Sequence, residues 1–189
     1  MPPAPHCYES TFGNCVFLDC NYLLMPKFTA LVFAHEDDTV HLDRALESLK
    51  VANDVLLINA DRSPEIKRIG RKHHAREKNG IPGVTPGAYA MDAFHQWVLV
   101  LRPFEALSNE LIRSLQEWRK RKKDESQGYC FGVLEQEGHK WRNRVPEFRL
   151  ANRKYVNWIG ELPENGNAPV LPGPLLRYET GEQQQRLAS

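Results

Sequence analysis

From residue 28 onward the chain alternates short continuous apolar runs with amphipathic stretches, and this alternation constrains its fold more than any other feature. "FTALVFA" (28–34), "VLLINA" (55–60) and "WVLVL" (97–101) are apolar on both faces and of strand length. Strands of that kind belong in a sheet covered on both sides. Between them, "DDTVHLDRALESLKVA" carries Leu42, Ala45, Leu46 and Leu49 on one helical face, with Asp38 or Thr39 as N-cap. "SPEIKRIGRKHHAREK" (63–78) opens on Ser63 as a cap with Pro64 at the first helical position. "NGIPGVTPG" (79–87) is a loop by its Gly and Pro content, and a short helix is expected over 88–95. "SNELIRSLQEWRKRKK" (108–123) is a third helix, capped by Ser108, with Leu111, Ile112, Leu115 and Trp118 on its buried stripe. Further strands are expected at 129–134, 147–151 and 154–159. The fold class is α/β: one domain with a mostly parallel sheet flanked by helices.

A length of 189 residues fits one domain with a real core. The domain is expected over 25–165, preceded by a Pro- and Cys-rich extension over 1–24 and followed by an irregular tail over 166–189. The net charge of +1 gives no electrostatic case for nucleic acid. No apolar run approaches the ~20 residues of a membrane helix. "CVFLDCNYLL" is interrupted by Asp19 and follows no basic segment, unlike a signal sequence. A soluble, cytoplasmic protein is expected. Cys7, Cys15 and Cys20 lack a second ligand pair at zinc spacing, so these and Cys130 read as free thiols.

Three strand ends converge at one sheet edge, where open α/β sheets bind ligands. They read His35-Glu36-Asp37-Asp38, Asn59-Ala60-Asp61 and Arg102-Pro103-Phe104-Glu105. Carboxylates and amides there suit ribose hydroxyls and base N–H groups, although Asp37, Asp38 and Asp61 equally serve as helix caps.

The order of these segments resembles the family 2 glycosyltransferases of GT-A fold, particularly the short bacterial kind related to lipopolysaccharide-core enzymes. In "ALVFAHEDDTVHLDRALESLKVANDVLLINAD", His35-Glu36-Asp37 stand in the family's Asn-Glu-Glu place and Asn59 where its second strand ends in Asp. "QWVLVLRPFE" keeps the Trp, the apolar run and the final Glu of its third strand, and "EFRLANRKYVNWIGELPE" matches its closing segment. The resemblance covers roughly 27–165 and implies a nucleotide-sugar ligand, UDP- or GDP-linked, with a saccharide acceptor. It implies contacts from His35, Glu36, Asp37, Asn59, Asp61, Arg102 and Glu105.

The resemblance breaks at the metal. The family's Asp-x-Asp holds a divalent cation, and here Arg102 and Phe104 occupy both aspartate places. Hard oxygen ligands are what such a cation requires, so no metal cofactor is expected. Arg102 can instead pair with the diphosphate, and the basic helix end Arg71-Lys72-His73-His74 is a second candidate for that charge. In the place of the family's catalytic His-Glu stands Pro163-Glu164, which makes Glu164, with Glu161 nearby, the candidate general base. Three readings stay open: a nucleotide-sugar-binding protein impaired in catalysis, a metal-independent inverting transferase, and an interaction module built on the fold.

Overall fold

The computed structural model describes residues 25–121, 126–158, 160–163 and 168–179. The proposed N-terminal extension, its three cysteines, Glu164 and the last ten residues therefore lie outside the described residues. Among the described residues eight strands form one sheet: β1 (Phe28–Ala34), β2 (Asp54–Asn59), β3 (Arg76–Asn79), β4 (Trp97–Leu101), β5 (Glu105–Leu107), β6 (Gly128–Glu137), β7 (Lys140–Asn152) and β8 (Val170–Arg177). Their order across the sheet is β3-β2-β1-β4-β7-β6-β8-β5. The block β3-β2-β1-β4 is parallel throughout, β6 and β8 are also parallel, and the other three pairings are antiparallel.

Period two sorts β1 onto two faces. Phe28, Ala30, Val32 and Ala34 join the larger core beneath α1 (Thr39–Ser48), α2 (Pro64–Lys72) and α3 (Asn109–Arg119). Leu31 faces the other way into a smaller cluster with Leu56, Ile58, Val98 and Tyr89. That second face is covered by the 3₁₀ segment Pro86–Asp92. Both layers exclude water, which is why the parallel strands read as unbroken apolar runs. Trp118 of α3 packs edge-on against Trp97 at 5.0 Å and Phe28 at 6.2 Å, tying α3 to the sheet. Ser108 Oγ accepts from Leu111 N at 3.1 Å, the N-cap read from the sequence.

Four expectations change. The basic helix ends at Lys72 rather than running to 78, because His74 turns left-handed (φ 56°) and Ala75 N donates to Gly70 O. Residues 76–79 then form the polar edge strand β3. Of the strand expected over 154–159, the described residues 154–158 form none: Asn152 O accepts from Tyr155 N and Asn152 Oδ1 from Lys154 N, closing a turn. Val170–Arg177, expected within an irregular tail, is instead a strand, since β8 pairs with both β6 and β5. Strands β6 and β7 run on as a hairpin past their apolar parts, turning at Gly138. Among the described residues no helix is long and apolar enough to cross a membrane.

Candidate functional site

In this sheet β1 is followed on one side by β2 and on the other by β4, so the strand order reverses between β1 and β4. The carboxyl ends of strands beside such a switch point form a crevice. A cavity of about 320 Å³ lies there. Leu31, Phe33 and His35, every second residue of β1 and its extension, line one wall. Val100, Leu101, Arg102, Pro103 and Phe104 line the wall opposite, and Glu161 and Leu162 close a third side. The third wall is seated by backbone, with Gly87 N donating to Gly160 O at 2.8 Å. A Cβ on Gly87 would sit 2.7 Å from that oxygen, so only glycine admits the contact.

Of the residues singled out from the sequence, His35, Arg102 and Glu161 meet around this cavity. His35 Nδ1 lies 3.3 Å from both carboxylate oxygens of Asp61. Asp61 also accepts from Glu36 N at 2.8 Å, and that backbone N–H holds its carboxyl below the usual range. Glu36 thus takes part through its backbone, while its side chain and that of Asp37 are exposed and outside the cavity lining. The acidic residue of this turn that does line it is Asp38, whose carboxylate accepts from His35 N at 2.7 Å. Burial pushes the Asp38 carboxyl up against the opposing effect of that hydrogen bond.

Asn59 and Glu105 are both turned inward. Asn59 is 1% exposed, donates from Nδ2 to Ser63 O and Glu77 Oε1, and accepts from Ser63 N. Its amide staples the turn that presents Asp61, and it does not line the cavity. Glu105 accepts from Arg149 Nη2 at 2.7 Å, Arg177 Nε at 3.0 Å and Arg102 N at 2.9 Å. The Arg-Pro-Phe-Glu corner therefore sends Arg102 to the cavity and Glu105 into the interior. Arg102 Nη2 meets Glu161 at 3.1 Å.

The basic end of α2 is elsewhere. A helix joining two adjacent parallel strands runs antiparallel to them, so its C-terminus reaches the amino edge of the sheet. There Lys72 and His73 pair with Asp43 at 2.7 and 2.9 Å. This helix end does not share the cavity with Arg102.

At this corner Arg102 presents a guanidinium and Phe104 a phenyl ring, and Glu105 accepts from Arg149 and Arg177. The described residues contain no group of three or more His, Cys, Asp or Glu arranged to hold a metal.

Sequence reasoning missed the inward turn of Asp38, which the capping reading explained away. It also missed Arg149 and Arg177, since nothing local links them to Glu105. The alternation of β1 did carry a usable signal, because residues 31, 33 and 35 share a face.

No protein-family model matches this chain, and no curated protein does. Among solved structures, it is similar to 4-diphosphocytidyl-2C-methyl-D-erythritol synthase from Anaerococcus prevotii DSM 20548, with a TM-score of 0.45 and 12% identity over 68% of this chain and 71% of that one. It is also similar to the apo-form glycosyltransferase GlyE of Streptococcus pneumoniae TIGR4, with a TM-score of 0.41 and 15% identity over 69% of this chain and 35% of that one.

Proposed function

We propose that this chain binds a nucleotide sugar in the cavity between β1 and β4, as a family 2 glycosyltransferase-like protein of the short bacterial type that has lost metal-assisted transfer. The observation that carries the reading is the place of Arg102. Its guanidinium lines the cavity at the carboxyl end of β4, where the resemblance puts the first aspartate of the metal motif. A guanidinium fits two diphosphate oxygens at once and offsets their charge without a cation. The apolar walls from Leu31, Phe33 and Phe104 suit the uncharged part of such a ligand. Loss of the two metal-binding carboxylates is what impairs the family's usual chemistry.

Calorimetric titration of UDP-glucose, UDP and GDP, each with Mn²⁺ and again with EDTA, tests this. The expected result is binding that survives chelation. Absence of any binding at millimolar nucleotide, or binding only with Mn²⁺, overturns it.

A further inference from the structure

We infer that two copies of this chain associate through the free edge of β7, pairing antiparallel over residues 140–146 about a two-fold axis at Asn143. The inference stands apart from the nucleotide-sugar reading, since no residue of that cavity enters it.

β7 has a partner along its whole length on one side only. β6 accompanies it from Lys140 to Ala151, whereas β4 meets it at Leu150, Ala151 and Asn152 alone. Among the described residues, no strand pairs with the other side of residues 140–147. Every residue from Lys140 to Pro146 is exposed. Such a strand turns every second N–H and C=O outward, and a row of these is a template for another strand.

Edges are commonly blunted by unpaired charge or by proline. Here Arg142 pairs with Glu137 at 2.8 Å, and Arg144 pairs with Glu137 at 2.6 Å and with Glu135. These charges are neutralised within the hairpin, on one of its faces. Pro146 stands at the end of the stretch and leaves the residues before it able to pair.

The opposite face carries Trp141, Asn143 and Val145, every second residue. Trp141 is 43% exposed, and Val145, at 81%, is the most exposed large hydrophobic residue described. Beside them Gly132, Leu134, Asn143, Pro146 and Val170 line a groove of about 420 Å³. A Cβ on Gly132 would meet nothing within 4 Å, so no described residue covers this face there.

The occupant follows because the pattern is its own complement. A two-fold axis normal to the sheet runs the two edges antiparallel and keeps each face on its own side. Placed at Asn143, it sets Trp141 of each copy opposite Val145 of the other and the two Asn143 amides against each other. An aromatic opposite a β-branched residue is a favourable cross-strand pair, and the axis makes it twice. It also brings each tryptophan beside the Pro146 rim of the groove. An axis at Arg142 or Arg144 would instead set an apolar residue against Asn143. The arginines face one another in all three registers, Arg142 against Arg144 in this one, each held by its own glutamate.

Sedimentation equilibrium on the full chain, from micromolar to hundreds of micromolar, reads the association. The wild type should be a dimer in reversible equilibrium with monomer. Val145→Lys should raise the dimer Kd about tenfold, since both apolar pairs are lost and two like charges enter the edge. That side chain is exposed, so the substitution should leave the urea midpoint unchanged and the loss is not one of folding. Asn143→Cys should give a 143–143 disulfide on mild oxidation, identified as a linked peptide by mass spectrometry. Residues directly opposite in an antiparallel pair lie within the Cα distance that a disulfide spans. Lys140→Cys, opposite Pro146 in this register, should give no 140–140 link. A monomer at every concentration overturns the inference. So does a dimer that Val145→Lys leaves unchanged, or one in which Asn143→Cys gives no 143–143 link.

Discussion

Arg149 and Glu105 meet 2.7 Å apart with neither side chain exposed at all. The guanidinium reaches across from β7 and the carboxylate from β5, so two antiparallel additions to the parallel block are joined by charge. Arg149 also bonds to Glu147 and to Val100 O, the backbone of a cavity-lining residue. Removing one partner from a buried pair costs about 3–5 kcal/mol, because it leaves the other charge desolvated. Arg149→Met keeps most of the volume and leaves Glu105 with Arg177 and Arg102 N. The expected loss is therefore at the lower end, about 3 kcal/mol, measured by urea unfolding. A change within ~0.5 kcal/mol, the scale of a surface substitution, would refute the buried network.

Arg102 and Glu161 should respond in opposite directions. Arg102→Ala removes a charge-assisted contact and should weaken UDP binding by about 1–3 kcal/mol. Glu161 is 65% exposed and competes for the same guanidinium, so Glu161→Gln should tighten UDP binding. Neither change should alter stability by much, since an ion pair this exposed contributes little. Calorimetry on the two variants checks the pair, and equal effects of the same sign would sink the competition between carboxylate and diphosphate.

Acid should weaken the fold through Glu147. Burial pushes its carboxyl up, but the charges of Arg149 and Arg177 and their hydrogen bonds outweigh that and hold it below its ordinary 4.5. A depressed folded value means that the unfolded chain takes up the proton first. The contribution is thus complete above pH 4.5 and is lost as pH falls through the lower folded value. Asp38 works the other way, since its carboxyl is raised in the fold and its protonation favours the folded state. Urea midpoints between pH 7 and pH 3 should be level down to about 4.5 and then fall. In Glu147→Gln that fall should be shallower, and an unchanged slope would remove Glu147 from the account.

The parallel half of the sheet was legible because both of its faces are buried. The runs around Phe28, Leu31 and Leu56 are apolar on both faces but for the buried Thr29 and the strand-end Asp54 and Asn59, so strand length and helix stripe suffice to place β1, β2, β4 and α1. The other half was not. Residues 76–79 read Arg-Glu-Lys-Asn, which carries helix-forming charge and no apolar period, and only pairing with β2 makes them a strand. Val170–Arg177 contains two prolines and a glycine, a composition that reads as loop. At the site, period two along β1 put His35 beside Phe33, while the pairing of His35 with Asp61 depended on strand register. Glu105 was assigned to a ligand because it ends a strand at the ligand-binding edge. Its two arginines lie 44 and 72 residues away in sequence, beyond any local signal.

The place of β8 in the sheet gives a last prediction. Gly173 has φ 92°, and a Cβ there would lie 2.8 Å from Glu110 C and Leu111 Cα, backbone atoms at the start of α3. Backbone cannot yield as a side chain can. Gly173→Ala therefore combines dihedral strain with overpacking, and should cost about 2–4 kcal/mol. Gly138 supplies the control: its φ is 62°, yet a Cβ would meet nothing within 4 Å. Gly138→Ala should cost only the strain, about 1–2 kcal/mol. The difference between the two variants in chemical unfolding isolates the packing of β8 against α3. Equal costs would mean that the strand does not press on the helix start, and that β8 contributes less to the domain than its pairing with β5 and β6 implies.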